Sequence, residues 1–246
     1  MAGETAKCEA LCLAIHPWSR TSHVVKWLTP FGPVSTVVKG AVRPKSGFLG
    51  QYDLNYVCEI VYYLRERGNL HALRECAPLK LREGLRGSFR ALALADYVRA
   101  ISGELAGDGL DSGSWFGLCD GTIGVIENHP PGKSLLPIML RFDLEALRLS
   151  GIAPDFSGYD PACPWSSFSL AAGAFASAGE GRHIRIRRET ARCLCALGED
   201  EDDQNLLDAT RVIGVFYQFH LDCAVETRRE VLKLILHNDN EKAKTR

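Results

Sequence analysis

Residues 24–42 read VVKWLTPFGPVSTVVKGAV, two runs of β-branched and aromatic residues with turn formers between them. Val, Thr and Trp favour strands, whereas Gly and Pro interrupt them. The sequence therefore predicts two neighbouring strands, over residues 24–28 and 34–42, joined by a turn at residues 31–33.

Three further runs of this kind flank the pair, at residues 11–15, 56–64 and 70–76. Five short strands separated by turns predict a small β-domain over residues 1–80. A five-stranded barrel of the OB type fits this pattern, although a generic β-domain would share most of it.

After residue 80 the pattern changes to helix formers, with Leu85, Phe89 and Leu92 beginning a helical spacing. Further helices are predicted at about 114–127, 134–150, 186–197 and 204–236. Residues 81–246 are therefore predicted to form a mainly α-helical second domain, so the fold class is α+β. Between about 153 and 181 the periodicity is lost in a stretch rich in Gly, Pro, Ser and aromatic residues, which predicts an irregular insertion.

The composition is that of a soluble globular protein, with 46% hydrophobic and 24% charged residues. No run reaches the ~18 apolar residues that a membrane span needs, so a cytoplasmic location is expected. The net charge of −1 divides unevenly. Residues 1–80 hold ten Lys or Arg against six Asp or Glu, a net of +4, and the remainder holds 19 against 24, a net of −5. The basic excess lies in the β-domain.

One basic segment stands out at the end of the third predicted strand, KGAVRPKS at residues 39–46. Lys39, Arg43 and Lys45 would share one face of a strand and could follow phosphates, although Pro44 is expected to end the strand before Lys45. The alternative is an ordinary solvated strand end, since charged edges also prevent aggregation.

The same segment resembles the Lys-Gly-Ala-x-Arg-x-x-Ser signature of the RecO family, and three later segments resemble that family in the same order. They are RFDLEALRLSGIAP at 141–154, FSLAAGAF at 168–175 and FYQFHL at 216–221. Four matches in order over nearly the whole chain identify it as a member of this family.

The resemblance implies an N-terminal OB-fold, a helical C-terminal domain and a non-enzymatic role as a recombination mediator in DNA repair. It implies binding to single-stranded and double-stranded DNA, strand annealing, and work with RecR, with single-strand-binding protein and, indirectly, with RecA, in the bacterial cytoplasm near the nucleoid. The candidate nucleic-acid-binding residues are Lys39, Arg43, Lys45, Arg20 and Lys26. A scaffold that keeps the RecO fold, binds chiefly proteins and contacts DNA weakly is the alternative.

The insertion departs from the family, many of whose members carry two Cys-x-x-Cys pairs that bind zinc. Here only Cys163 is present, Ser166 stands three residues on, and residues 176–179 contain no cysteine. A Cys₄ zinc site cannot be built from one thiolate, so a zinc-less remnant of a zinc-finger module is expected. Trp165, Phe168 and Phe175 are then expected to pack it, and Phe175→Ala should cost ~3–5 kcal/mol if that ring is fully buried.

A second basic strip, RHIRIRR at 182–188, follows the insertion. Arg182, Arg185, Arg187 and Arg188 could contact phosphates, but a helix entry whose cations pair with nearby acids is the favoured interpretation. The sequence contains no complete enzyme motif. Gly132-Lys133-Ser134 lacks the earlier Gly of a P-loop, and the nine scattered cysteines and seven histidines suggest no metal cluster. Neither a cofactor nor a bound metal is expected.

Overall fold

The computed structural model describes residues 4–65, 69–107, 111–176, 181–196, 203–221 and 225–236. These residues form two compact units, one of Met1–Gly87 with Val98–Glu127 and one of Ser88–Tyr97 with Asn128–Arg246. The predicted boundary at residue 80 stays a prediction.

The first unit contains a closed five-stranded barrel of the OB type, which confirms the predicted fold. Its strand order is β1-β2-β3-β5-β4, with β3 and β5 parallel and the other pairs antiparallel. The strands are β1 (Thr5–Pro17), β2 (His23–Thr29), β3 (Gly32–Val38), β4 (Val57–Tyr63) and β5 (Leu70–Lys80).

The barrel interior is filled by alternate residues of its strands, as the two-residue period of a strand requires. Trp27 is completely buried there, and its indole nitrogen donates to Thr36 Oγ1 at 2.9 Å. Cys12, Cys58 and Ile60 pack in the same cluster. The odd-numbered residues of β2 thus face the core, which leaves Lys26 on the outer surface.

Two helices follow the barrel, α1 (Phe89–Leu105) and α2 (Ser112–Glu127), after a 3₁₀ turn at Glu83–Gly87. Helix α2 lies against β2 and β3. Arg82 is 8% exposed and pairs with Asp120 and Glu127 of α2, so ion pairs of a buried guanidinium join the segment after β5 to this helix.

The second unit is mainly helical, as predicted. Its helices are α3 (Leu136–Leu149), α4 (Arg188–Cys195), α5 (Asp203–His220) and α6 (Val225–Leu236). Helix α5 packs against the other three. The single helix predicted over 204–236 is therefore two helices, and residues 222–224 between them lie outside the described part.

The insertion is more regular than its sequence predicted. It holds a three-stranded antiparallel sheet of order β7-β6-β8, formed by β6 (Trp165–Ser169), β7 (Ala174–Phe175) and β8 (His183–Arg187). Phe168 is fully buried and stacks on Phe156, with ring centroids 5.0 Å apart. Phe175 packs against Phe168 as expected, with ring centroids 5.2 Å apart, but it is only half-buried. Trp165 is exposed, which corrects the expectation that it packs the insertion.

Candidate nucleic-acid interface

The basic segment at 39–46 is a series of turns and not the continuation of a strand. Strand β3 ends at Val38, and Gly40 has a left-handed φ of 67° that an extended strand does not use. The expectation that Lys39, Arg43 and Lys45 share one strand face is therefore wrong. A side chain at position 40 would also place its Cβ 3.2 Å from Cδ of Arg43, so glycine gives Arg43 its space.

This turn is fastened to the connection between β1 and β2. The backbone N–H of Gly40 donates to Ser22 Oγ at 3.3 Å, and that of Val42 donates to the Thr21 carbonyl at 3.3 Å. The β1–β2 connection is itself closed by the Trp18 N–H, which donates to the Ser22 carbonyl at 2.9 Å. Two loops that are distant in sequence are thereby held side by side.

A groove of about 480 Å³ lies between the two loops. Lys39 and Arg43 line it from one side and Trp18 lines it from the other, with 65% of the Trp18 residue surface exposed. The remaining lining residues are Ser19, Thr21, Ser22, Val37 and Gly40. Cations, hydroxyl groups and an exposed indole are the groups that bind phosphates and stack on unpaired bases.

The five barrel cations predicted to contact nucleic acid are not all brought to this groove. Arg20 lies in the β1–β2 turn between two lining residues, and Lys45 lies two residues beyond Arg43, both exposed. Lys26 is exposed on β2 opposite Ser35, three residues from His23, the end of the strand that adjoins the groove. At ~3.3 Å per residue, Lys26 lies about 10 Å along the barrel from His23.

The surroundings of the groove are positively charged. From residue 10 to residue 52 the chain contains five Lys or Arg and not one Asp or Glu. Within the part of the chain that the structure describes, none of these five cations forms an ion pair with a carboxylate. Their charge is available to an anion in solution.

The second basic strip lies on the small sheet and the helix after it. Arg185 and Arg187 are exposed residues of β8, Arg182 precedes the strand, and Arg188 begins α4. Arg188 pairs with Glu189 at 3.1 Å, and Arg187 lies 3.9 Å from Asp208. Part of this strip is therefore neutralised by acids, unlike the barrel groove.

Sequence reasoning missed the exposed Trp18 and the three hydroxyl residues after it as groove residues. The available signal was the segment WSRTS at 18–22, a polar turn that begins with an aromatic residue. Its position beside Lys39 depends on the β2–β3 pairing, in which His23 lies opposite Val38. That long-range register was not readable from the segment itself.

Among the described residues, no group of three or more His, Cys, Asp or Glu side chains is placed to hold a metal ion. Cys163 is exposed, and its thiol donates to Asp160 Oδ2 at 3.0 Å. In the same part of the chain, no helix is both long and apolar enough to span a bilayer.

Two comparisons with known proteins bear on this surface. The family model described as "Recombination protein O N terminal" matches residues 1–82, the part of the chain that contains the barrel and its groove. The chain is also similar to the DNA repair protein RecO of Rhodopirellula baltica, with 31% identity over 149 residues. That similarity covers 59% of this chain and 53% of the relative, so the chain matches about half of the relative's length.

Proposed function

We propose that this chain, which belongs to the RecO family, is a recombination mediator in DNA repair that binds single and double strands and promotes their annealing. The relative's name as a DNA repair protein supports the general role. In this proposal the protein is not an enzyme. It arranges strands and partners, and it breaks no covalent bond.

The barrel groove is the observation that carries the proposal. Lys39 and Arg43 place two cations on one wall, and Trp18 places an exposed indole on the other. Each neutralised phosphate releases bound counterions, which supplies sequence-independent affinity. Stacking of a base on Trp18 would add ~1–3 kcal/mol, a contribution typical of OB-folds that bind single strands.

Such a surface supports annealing because it holds a strand without reading its sequence. Phosphate contacts position a strand, whereas hydrogen bonds to base edges select its sequence. Arg20, Lys45 and Lys26 extend the positive surface beyond the groove. Arg182, Arg185, Arg187 and Arg188 are the second candidate surface for DNA, on the other compact unit.

The proposed partners follow from the family and not from a surface of this chain. They are RecR, single-strand-binding protein coating the DNA, and RecA, whose loading the complex would assist indirectly. The proposed setting is the bacterial cytoplasm at the nucleoid. No cofactor is required.

A strand-annealing assay tests the proposal most directly. Two complementary oligonucleotides are mixed with and without the protein over a series of salt concentrations. We expect faster annealing with protein at low salt and a loss of this acceleration as salt rises, because phosphate contacts are screened. Equal annealing rates with and without protein at every salt concentration would reject the mediator and favour the alternative, a scaffold that binds mainly proteins.

A further inference from the structure

The small sheet of the second unit has one face in the core and one in solvent. Phe168 and Ile186 are buried on the inner face, at 0% and 1% exposure. Because side chains alternate along a strand, the neighbouring positions point outward. The outer face carries Trp165 and Ser167 of β6 with His183, Arg185 and Arg187 of β8.

Trp165 is the unexpected residue of this outer face. It lies directly opposite Arg187 in the sheet, and 45% of its surface is exposed. The guanidinium carbons of Arg185 and Arg187 lie 5.2 Å and 5.9 Å from the centroid of its ring. A large aromatic side chain is therefore partly exposed to solvent with two guanidinium groups over its ring, on the face that does not hold the sheet to its core.

We propose that this outer face binds single-stranded nucleic acid, with the Trp165 indole stacked on an unpaired base and Arg185 and Arg187 at the flanking phosphates. The inference rests on the proposed function only in requiring that the chain bind DNA. It adds a stacking residue, Trp165, to the second basic strip, and it predicts that this strip prefers single strands to duplexes. In a duplex the base faces are stacked on one another, so an indole cannot reach them.

An acidic peptide is the competing occupant, and the exposed indole of this face favours a nucleic acid over it. Asp208 lies 3.9 Å from Arg187, and Glu189 pairs with the adjacent Arg188. Carboxylates therefore already compete for two of the cations. Arg185 has no carboxylate partner within the described part of the chain. Phosphates and carboxylates would both use these cations, whereas the exposed part of the Trp165 ring suits a base better than a carboxylate.

The test compares the full-length wild type with Trp165→Ala and Trp165→Phe. Binding to labelled oligo-dT of about fifteen nucleotides, close to the upper site size of one OB-fold, and to a duplex of equal length is followed by fluorescence anisotropy. We expect Trp165→Ala to bind the single strand about 5- to 100-fold more weakly, a factor typical of one lost stacking contact. Duplex affinity should change by less than about twofold, and Trp165→Phe should keep most single-strand affinity, because its ring can still stack.

Phe89→Ala is the matched control, since Phe89 is an aromatic residue of the same unit with 67% exposure. It should leave both affinities unchanged. Equal single-strand affinity of Trp165→Ala and wild type would overturn the inference, as would an equal loss on single strand and duplex. An acidic peptide that binds the wild type but not Trp165→Ala, while the two proteins bind oligo-dT equally, would assign the face to a protein partner and overturn it too. A wild type that binds neither DNA form would instead overturn the proposed function and this inference together.

Discussion

Arg228 donates two hydrogen bonds to Oδ2 of Asp143, at 2.9 Å from Nε and at 2.6 Å from Nη2, and both side chains are buried. Tyr97 donates to the other carboxylate oxygen at 2.6 Å, and Arg228 also donates to the Thr210 carbonyl at 2.8 Å. Burial raises the pKa of Asp143, while the charge of Arg228 acts to lower it. One polar cluster thus joins α3, α5 and α6 to the first part of α1 inside the second unit.

Removing either charge of this pair should destabilise the protein strongly. Asp143→Ala leaves the Arg228 guanidinium buried without its partner, so we expect the free energy of unfolding to fall by ~3–5 kcal/mol. The double change Asp143→Leu with Arg228→Met should recover much of that loss, because apolar residues of similar volume need no partner. Urea denaturation followed by circular dichroism measures both.

Arg229→Ala is the control on the same helix. Arg229 pairs with Glu226 at 2.8 Å, but the two side chains are 53% and 70% exposed. A surface pair of this kind contributes less than ~1 kcal/mol. A loss of similar size for Arg229→Ala and Asp143→Ala would contradict the assignment of the buried pair as the stabilising one.

The insertion should depend on Phe168 more than on Phe175. Phe168 is fully buried and contacts three aromatic rings, so Phe168→Ala should lower the free energy of unfolding by ~3–5 kcal/mol. Phe175 is half-buried, and its replacement by Ala should cost about half as much, because less apolar surface is lost. Thermal or urea unfolding of the two variants decides the order, and a greater loss for Phe175→Ala would reverse this assignment.

The five strands could be predicted from the sequence because β-branched runs and turn residues alternate locally. The end of β3 could not, since it is set by the left-handed φ of Gly40. Strand β6 was missed for a different reason. Its sequence WSSFS has only one side chain that is both apolar and buried, so its pattern is too short to separate from a loop.

The candidate site likewise has one part that the sequence predicts and one part that it does not. The cluster of Lys39 and Arg43 was visible as a local excess of charge. The groove was not, because Trp18 reaches it only when β2 pairs with β3 and brings two loops together. Which cations are neutralised also depends on tertiary contacts, as the approach of Arg187 to Asp208 shows.

The purified protein should contain no stoichiometric zinc. The motivating observation is that Cys163 is the one cysteine between residues 153 and 181. Among the described residues the Asp160 carboxylate lies beside its thiol, but no group of three or more His, Cys, Asp or Glu side chains is placed to hold a metal ion. Elemental analysis of protein purified without chelator and then dialysed against one measures the content. About one zinc per chain that survives dialysis would contradict the prediction.

The Cys163 thiol should react slowly for an exposed cysteine. Its hydrogen bond to Asp160 and the negative charge of that carboxylate raise the pKa of the thiol above its ordinary value. A raised pKa lowers the fraction of reactive thiolate at pH 8, so Asp160→Asn should speed alkylation severalfold at that pH. Well above both pKa values the thiol is ionised in both proteins, and the rates should converge.

Peptide mass spectrometry after timed alkylation resolves Cys163 from the other thiols. Cys195 is the internal control, because the pKa of its thiol is raised mainly by burial and not by Asp160. Its rate should be the same in both proteins. Equal Cys163 rates at pH 8 in wild type and Asp160→Asn would show that the carboxylate does not restrain the thiol.

The barrel groove, together with the adjacent Lys45, should carry most of the salt-dependent affinity for DNA. The triple change of Lys39, Arg43 and Lys45 to Glu removes up to three phosphate contacts. Each contributes ~0.7 to the slope of log affinity against log salt for a single strand and ~0.9 for a duplex, so the slope should fall by ~2–3. Preference among sequences should barely change, because the groove contacts phosphates and not base edges.

A charge-matched control separates the groove from the net charge of the molecule. Lys7, Arg148 and Arg229 are exposed and lie outside the groove, so changing them to Glu alters the total charge equally. Affinities of both triple variants are measured over several salt concentrations, with circular dichroism to verify folding. Since screening confines electrostatic effects to ~10 Å at 0.1 M salt, only the groove variant should lose slope. A folded groove variant with wild-type affinity and slope would move the DNA site away from the barrel, and Arg182, Arg185, Arg187 and Arg188 would be the next residues to change.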